Sequence, residues 1–244
     1  MVTGAGRGIG RATAVALTRA GASVAVTDLT QTLCADTLAE IAGFGGSAAG
    51  WALDVSSRDA IRAVIPAIAA QFGRLDVVIN NAGIAPVSDI HDDAGFEAAW
   101  DRAISVNLTA HQRVIRAALP HLRQSPAGRI VNIASIEGLG ASRGQLIYTV
   151  TKSAVVGLTR AFAVELGRDG ITCNCICPGP VDTDMTSFLS PEDKATFARR
   201  QTALGRYAQP EEIAVAVVAL CQPGASYTTG AIIPVDGGFM ARNG

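Results

Sequence analysis

The sequence predicts an α/β protein, a single doubly wound domain over residues 1–244 with a parallel sheet and helices on both faces. Three observations predict it. Short apolar segments alternate with longer stretches of helical composition along the whole chain, as βα units require. Several helical stretches stop at a glycine: Gly21, Gly43, Gly73 and Gly170. A glycine-rich turn, Thr3-Gly-Ala-Gly-Arg-Gly-Ile-Gly10, stands where a first strand would pass into a first helix. The chain's 244 residues fit one large domain.

In order, Met1-Val-Thr3 is the first strand. It is very short for a central strand, so either the natural start lies upstream or the sheet is notched at its centre. The turn follows, then an Ala-rich helix ending near Ala20. Val24–Val26 is the second strand and ends at Asp28. Trp51–Leu53 is the third, followed by Asp54-Val55. Val77–Ile79 leads into Asn80-Asn-Ala-Gly83. Residues 86–100 read as a long connection before a helix at about 101–119. Ile130–Ile133 is the next strand, with Ser135 at its end. A helix at about 149–167 follows Tyr148 and carries Lys152. Ile171–Ile176 and Ala231–Val235 complete the strands. Residues 180–209 form a substrate loop, weakly helical from Pro191 to Arg200. Long connections at the carboxyl ends of strands are where pockets and lids are built.

Composition excludes several function classes. The formal net charge is −1 with 17% charged residues and no block of one sign. No nucleic-acid or membrane-surface partner is expected. No apolar run approaches the ~20 residues of a membrane span, and a cytoplasmic protein is the default. Cys173, Cys175 and Cys177 alternate along one strand face. They could hold a soft metal, but no histidine or second cysteine pair accompanies them, so buried reduced thiols beneath a helix are expected and no metal. His91, His111 and His121 lie off the motifs and read as surface or helix-packing residues.

Gly4, Gly8 and Gly10 let the turn bring backbone N–H groups up to a pyrophosphate at a helix N-terminus. Asp28 can accept hydrogen bonds from an adenosine ribose and repels a 2′-phosphate, which favours NAD over NADP. Leu29 after it adds no cation. Arg7 pulls the other way, because a cation in the turn could pair with a phosphate. Asp54 and Val55 could hold the adenine edge, or Asp54 could cap the helix that follows. The Asn80-Asn pair could lock neighbouring loops by amide hydrogen bonds, while Ala82 and Gly83 admit a cofactor to the backbone.

Tyr148 and Lys152 are four residues apart and share a helix face. A free tyrosine has a pKa of about 10 and is a poor base near neutral pH. A nearby ammonium should favour the phenolate. The chain has 18 arginines and two lysines, Lys152 and Lys194, so a lysine at 152 departs from the protein's usual cation. A compact ammonium can reach ribose hydroxyls and a water where a planar guanidinium fits poorly. Ser135 would hold a substrate oxygen beside Tyr148. Asn107 lies within a helix, where an amide is mildly unfavourable.

With these residues assembled, the chain resembles the short-chain dehydrogenase/reductase family over essentially its whole length. The turn matches the family's Thr-Gly-x3-Gly-x-Gly. Asn80-Asn-Ala-Gly83 matches a second motif. Asn107, Ser135, Tyr148 and Lys152 match its catalytic tetrad in order and spacing, and Pro178-Gly179 and Asp236-Gly-Gly238 match later landmarks. The resemblance implies a seven-stranded Rossmann sheet, NAD(P)-dependent interconversion of alcohols and ketones, and a homotetramer. It also implies that the Asn107 carbonyl holds a water reaching Lys152. By the same resemblance Ile9, Asn81, Pro178, Gly179, Val181 and Thr183 belong with the cofactor, the last two against its carboxamide. Around Ser135 and Tyr148, substrate contacts are expected from Glu137 and Gln145, with Leu139, Pro86, Val87 and residues 185–204 as further wall. Three activities remain in view. An NAD-dependent secondary-alcohol dehydrogenase comes first. An NADPH-dependent 3-oxoacyl-thioester reductase is second, with Arg113, Arg116, Arg123, Arg129 and Arg143 available for a basic entrance. A non-catalytic dinucleotide-binding module is third; it would need only the turn and Asp28.

Overall fold

A computed structural model describes residues 1–87 and 89–242. Seven strands form one parallel sheet: β1 (Val2–Thr3), β2 (Val24–Asp28), β3 (Ala48–Ala52), β4 (Val77–Asn80), β5 (Arg129–Ile133), β6 (Thr172–Pro178) and β7 (Ile232–Val235). Their order is β3-β2-β1-β4-β5-β6-β7. The order reverses between β1 and β4, so a crevice opens beyond their carboxyl ends.

The strands are apolar on both sides because both sides are covered. Ala25, Val78, Ile130 and Cys173 point into one core layer, beneath α3 (Arg58–Phe72), α5 (Ala110–Leu122) and α6 (Leu146–Leu166). Their chain neighbours Val24, Val26, Ile79 and Val131 point into the other, beneath α1 (Gly8–Arg19), α2 (Ala35–Gly43) and α8 (Pro210–Cys221). This is the alternation a pleated strand imposes. Two further helices, α4 (Asp93–Ala103) and α7 (Pro191–Gln201), lie in the long connections.

The short first strand is matched by a short ladder. Val2 and Thr3 register with Val26 and Thr27, and only Val2 registers with a β4 residue, Ile79. Side chains continue the join. Asn81 donates from Nδ2 to the carbonyls of Thr3 (2.9 Å) and Gly4 (3.0 Å). The Thr3 hydroxyl accepts from the N–H groups of Asn81 and Ala82, each at 3.0 Å.

Three elements differ from the sequence expectation. The helix expected from about 101 begins at Asp93, because the Asp92 carboxylate accepts from the Gly95 N–H and caps it. It continues through a π segment, Ile104–Thr109, into α5. The third strand starts at Ala48, where Ala and Gly leave little apolar signal, and ends before Leu53. The chain reverses after α2 at Gly45 (φ 74°) and not at Gly43, which closes the helix.

Candidate active site

The crevice is a cleft of about 950 Å³. Gly4, Arg7, Gly8 and Ile9 line it from the turn, with Asp28 and Leu29 after β2, Asp54 and Val55 after β3, and Asn81, Ala82 and Gly83 after β4. Ser135, Tyr148, Lys152, Pro178, Gly179, Val181 and Thr183 complete the side toward β5 and β6. Of the residues singled out from sequence, Gly10, Asn107, Glu137 and Gln145 are not on this wall, and of the expected further wall neither Pro86, Val87, Leu139 nor residues 187–204 line it.

The turn is built by its glycines. Gly4 and Gly8 adopt φ of 60° and 54°, a region costly for other residues. A Cβ on Gly10 would stand 2.1 Å from the Gly4 carbonyl oxygen, so helix and turn approach only without a side chain there. Arg7 takes the N-cap position of α1 with no side-chain cap, and the first helical turn carries no acid. Its leading N–H groups are therefore free to receive an anion. These features fit a dinucleotide pyrophosphate. The Asp28 carboxylate is anchored beside the turn by the N–H groups of Gly6 (2.9 Å) and Leu29 (2.8 Å). Arg7 reaches across the cleft to Asp184 at 3.4 Å, an exposed pair. Asp54 closes a local turn by accepting from the Ser56 N–H and hydroxyl, while the cap of α3 is Ser57.

Asn107 is fully buried in the π segment. Its Oδ1 accepts from the Ile84 N–H at 2.8 Å, and its Nδ2 donates to the Ile84 carbonyl (2.8 Å) and the Thr151 hydroxyl (3.2 Å). A widened π turn loosens the backbone ladder, and such turns recur at functional sites. Thr151 and the Ile84 backbone were not singled out from sequence. Nor were Ser105 and Val106 on the cleft wall, whereas Met185 and Thr186 there fall within the further wall expected at 185–204. Ser105 and Val106 lie in the helix expected at about 101–119, where helical spacing alone does not show which residues a π segment turns toward the cleft.

Lys152 is buried, and its ammonium donates to the Ile133 carbonyl at 2.9 Å. It lies 5.5 Å from the centre of the Tyr148 ring. Burial pulls Lys152 down to about 8. Tyr148 differs from the sequence expectation of a lowered pKa: burial pushes it up to about 12, the Ser135 hydroxyl opposing and the Glu137 carboxylate adding to the rise. The ammonium sits over the ring and spends a hydrogen bond on Ile133, while burial penalises a phenolate.

Glu137 also differs from its expected place at the substrate. Its Oε2 accepts from the Ser142 N–H (2.9 Å) and the Thr149 hydroxyl (3.0 Å), and its Oε1 from the Ser142 hydroxyl (2.5 Å). Gln145 precedes the first residue of α6 without capping it through its side chain. Arg129 is buried in β5 and donates to the carbonyls of Gly128 and Pro223. It therefore belongs to no entrance. Cys173, Cys175 and Cys177 are buried, with 3.9 Å between the sulfurs of the last two. Among the described residues no cluster of three or more His, Cys, Asp or Glu could hold a metal. No described helix is long and apolar enough to cross a membrane.

A parallel doubly wound sheet, a glycine turn at its switch point and a Ser-Tyr-Lys set in the same cleft define a nicotinamide-dinucleotide oxidoreductase. The family profile described as Enoyl-(Acyl carrier protein) reductase matches residues 4–240. The cis-4-hydroxycyclohexanecarboxylate dehydrogenase of Sinomonas cyclohexanicum is 40% identical over 99% of this chain and 96% of its own. A 3-oxoacyl-(acyl-carrier-protein) reductase of Pseudomonas aeruginosa is also 40% identical, over 98% of this chain and 96% of its own. A solved Sinorhizobium meliloti protein assigned as a short-chain alcohol dehydrogenase superposes with a TM-score of 0.93 at 37% identity, covering 99% of this chain and 96% of that one. The chain belongs to the short-chain dehydrogenase/reductase family and is an oxidoreductase of that family.

Proposed function

We propose that the protein is an NAD-dependent oxidoreductase that interconverts a secondary alcohol and a ketone, with Tyr148 as general acid/base. The observation that carries this is the convergence of Ser135, Tyr148 and Lys152 on one cleft with Asp28 and the open α1 N-terminus. NAD bound there supplies the hydride-exchanging ring. Gly4, Arg7, Gly8, Ile9 and Gly10 form the pyrophosphate turn, and Asp28 and Leu29 receive the ribose. Asp54 and Val55 face the adenine, Asn81, Ala82 and Gly83 bring up the backbone, and Pro178, Gly179, Val181 and Thr183 form the carboxamide loop.

Ser135 accepts a hydrogen bond from the Glu137 N–H at 3.1 Å. Its hydroxyl proton is thereby left to donate to a substrate oxygen. Tyr148 takes the alcohol proton during oxidation and returns one during reduction. Its raised pKa suits the proton-donating role, and phenolate formation calls on nearby positive charge. Lys152 supplies the ammonium and, with Asn107 behind it, the outward path of the proton. A lowered lysine pKa makes that transfer accessible near neutral to mildly basic pH.

The preference for NAD rests on Asp28 beside the ribose position. The Pseudomonas relative and Arg7 favour a second reading, an NADPH-dependent 3-oxoacyl-thioester reductase; a buried Arg129 removes one cation from the basic entrance that reading would use. A homotetramer is part of the proposal, supported by apolar side chains exposed on α6, among them Leu146, Val150 and Val164.

The test is parallel titration with NADH and NADPH, followed by activity of Tyr148→Phe. Tighter NADH and at least a ~100-fold loss of turnover with cofactor binding kept are expected. Tighter NADPH would move the thioester reductase forward. Undiminished turnover in Tyr148→Phe would remove the acid/base assignment. Absence of turnover in the wild-type chain, with cofactor bound, would favour a non-catalytic dinucleotide-binding module.

A further inference from the structure

We propose that Glu137 is a positioning residue that ties the Ser135 turn to the Tyr148 helix, its carboxylate held against Thr149, the residue after Tyr148. This inference rests on the acid/base reading of Tyr148.

The tie is a chain of hydrogen bonds. The Ser135 hydroxyl accepts from the Glu137 N–H at 3.1 Å, and the Ser135 carbonyl accepts from the Gly138 N–H at 2.9 Å. The Glu137 carboxylate then spans forward to both donors of Ser142 and to the hydroxyl of Thr149, the residue after Tyr148. One side chain thus fixes the turn that carries Ser135, the loop that leads into α6, and the first turn of α6. A carboxylate with three hydrogen-bond donors around it holds its rotamer more firmly than a solvated one. The separation between Ser135 and Tyr148 follows from that bracing.

The charge has a direction. Lys152 from the same helix lies over the Tyr148 ring. Glu137, from the turn after β5, is the carboxylate that acts on the hydroxyl, and it adds to the upward pull of burial. Cys175 and Cys177 of β6 and His111 of α5 act on Lys152 rather than on Tyr148 directly. A like charge close by disfavours the phenolate. Glu137 therefore offsets part of what Lys152 supplies and places the proton exchange at higher pH than Ser135, Tyr148 and Lys152 alone would.

Glu137→Gln separates charge from bracing. The amide oxygen can accept from the Ser142 N–H and Thr149 hydroxyl, while the amide N–H can donate to the Ser142 hydroxyl oxygen. Two readouts follow. Tyrosinate absorbance is titrated in the cofactor-free protein, which has three tyrosines, and Tyr148 is isolated by subtracting Tyr148→Phe. The rising pH limb of oxidation is measured with NAD⁺ and cyclohexanol or 2,3-butanediol as probe alcohols. In Glu137→Gln both midpoints are expected to move to lower pH by about half a unit or more, with kcat on the plateau kept. Glu137→Ala is expected to show the same shift and, in addition, a severalfold loss of plateau kcat. If Glu137→Ala does not fold, Glu137→Gln carries the test alone. Unmoved midpoints in Glu137→Gln would overturn the charge assignment, and wild-type plateau kcat in Glu137→Ala would overturn the bracing. Failure of the acid/base reading would look different: Tyr148→Phe would stay active, while the tyrosinate titration would still answer for Glu137.

Discussion

At the residue scale, the site divides into side chains with a chemical job and side chains that hold them. On the proposed reading Asp28 belongs to the first group. Asp28→Ser should raise the ratio of NADPH to NADH affinity by about tenfold or more, about 1.4 kcal/mol, read by parallel cofactor titrations. An unchanged ratio would place cofactor choice elsewhere, with Arg7 the next residue to replace. Lys152→Arg should lower kcat by about a hundredfold or more, because a guanidinium stays charged and is too broad for the space beside Ile133; near-wild-type turnover would show that any cation serves. Asp28, Tyr148 and Lys152 were readable because each is a distinctive side chain at a fixed offset from a strand end or helix partner. Glu137 was placed near the reacting centre but with the wrong neighbours. Its partners, Ser142 and Thr149, lie 5 and 12 residues ahead across a loop, a separation that carries no periodic signal. The Ile133 carbonyl that holds Lys152 is backbone and has no sequence signature at all.

At the scale of elements, Asn107 shows how a local irregularity is held. Its amide pins the segment after β4 through both polar groups of Ile84 and reaches α6 through Thr151. Asn107→Ala should destabilise the protein by about 1–3 kcal/mol, since it strands buried backbone groups. Thermal unfolding measures this; an unchanged midpoint would mean that water replaces the amide without loss. An asparagine within a helix was legible as an oddity, but the π segment around it was not. A single inserted residue in the i→i−4 ladder leaves composition and apolar spacing almost unchanged. The early start of α4 was missed for a different reason. Asp92-Asp-Ala-Gly95 reads as a turn by composition, and only the Asp92 side-chain bond to Gly95 turns it into a helix start. Helix α7 was readable only as weakly helical from Pro191 to Arg200; its start is fixed by the Ser190 side chain, which caps it ahead of Pro191.

For the molecule as a whole, the alternation of apolar segments with glycine-ended helices was enough to give the layered parallel sheet, because strands buried on both faces have few other compositions open to them. What alternation leaves out is ionisation within the layers. His111 is buried on α5, its Nε2 has no hydrogen-bond partner among the described residues, and burial, with the charge of Lys152 behind it, holds it down at about 3. An unfolded histidine titrates near 6.5. Below that pH the unfolded chain takes up a proton that the folded one does not, so this group costs stability progressively as pH falls from 6.5 toward 3. His111→Gln should flatten the fall of the unfolding midpoint between neutral and mildly acidic pH, and an equally steep fall would assign the acid sensitivity to other groups. The join across β1 has a consequence of a mechanical kind. The β2–β3 side and the β4–β7 side meet along β1, where Asn81 and Thr3 add side-chain bonds to the ladder. A dinucleotide lying across that line would touch both sides and act as a rivet. Ligand binding and resistance to unfolding are then one quantity: amides flanking the seam, Thr27 and Ile79 among them, should be the ones whose hydrogen exchange slows most when cofactor is added.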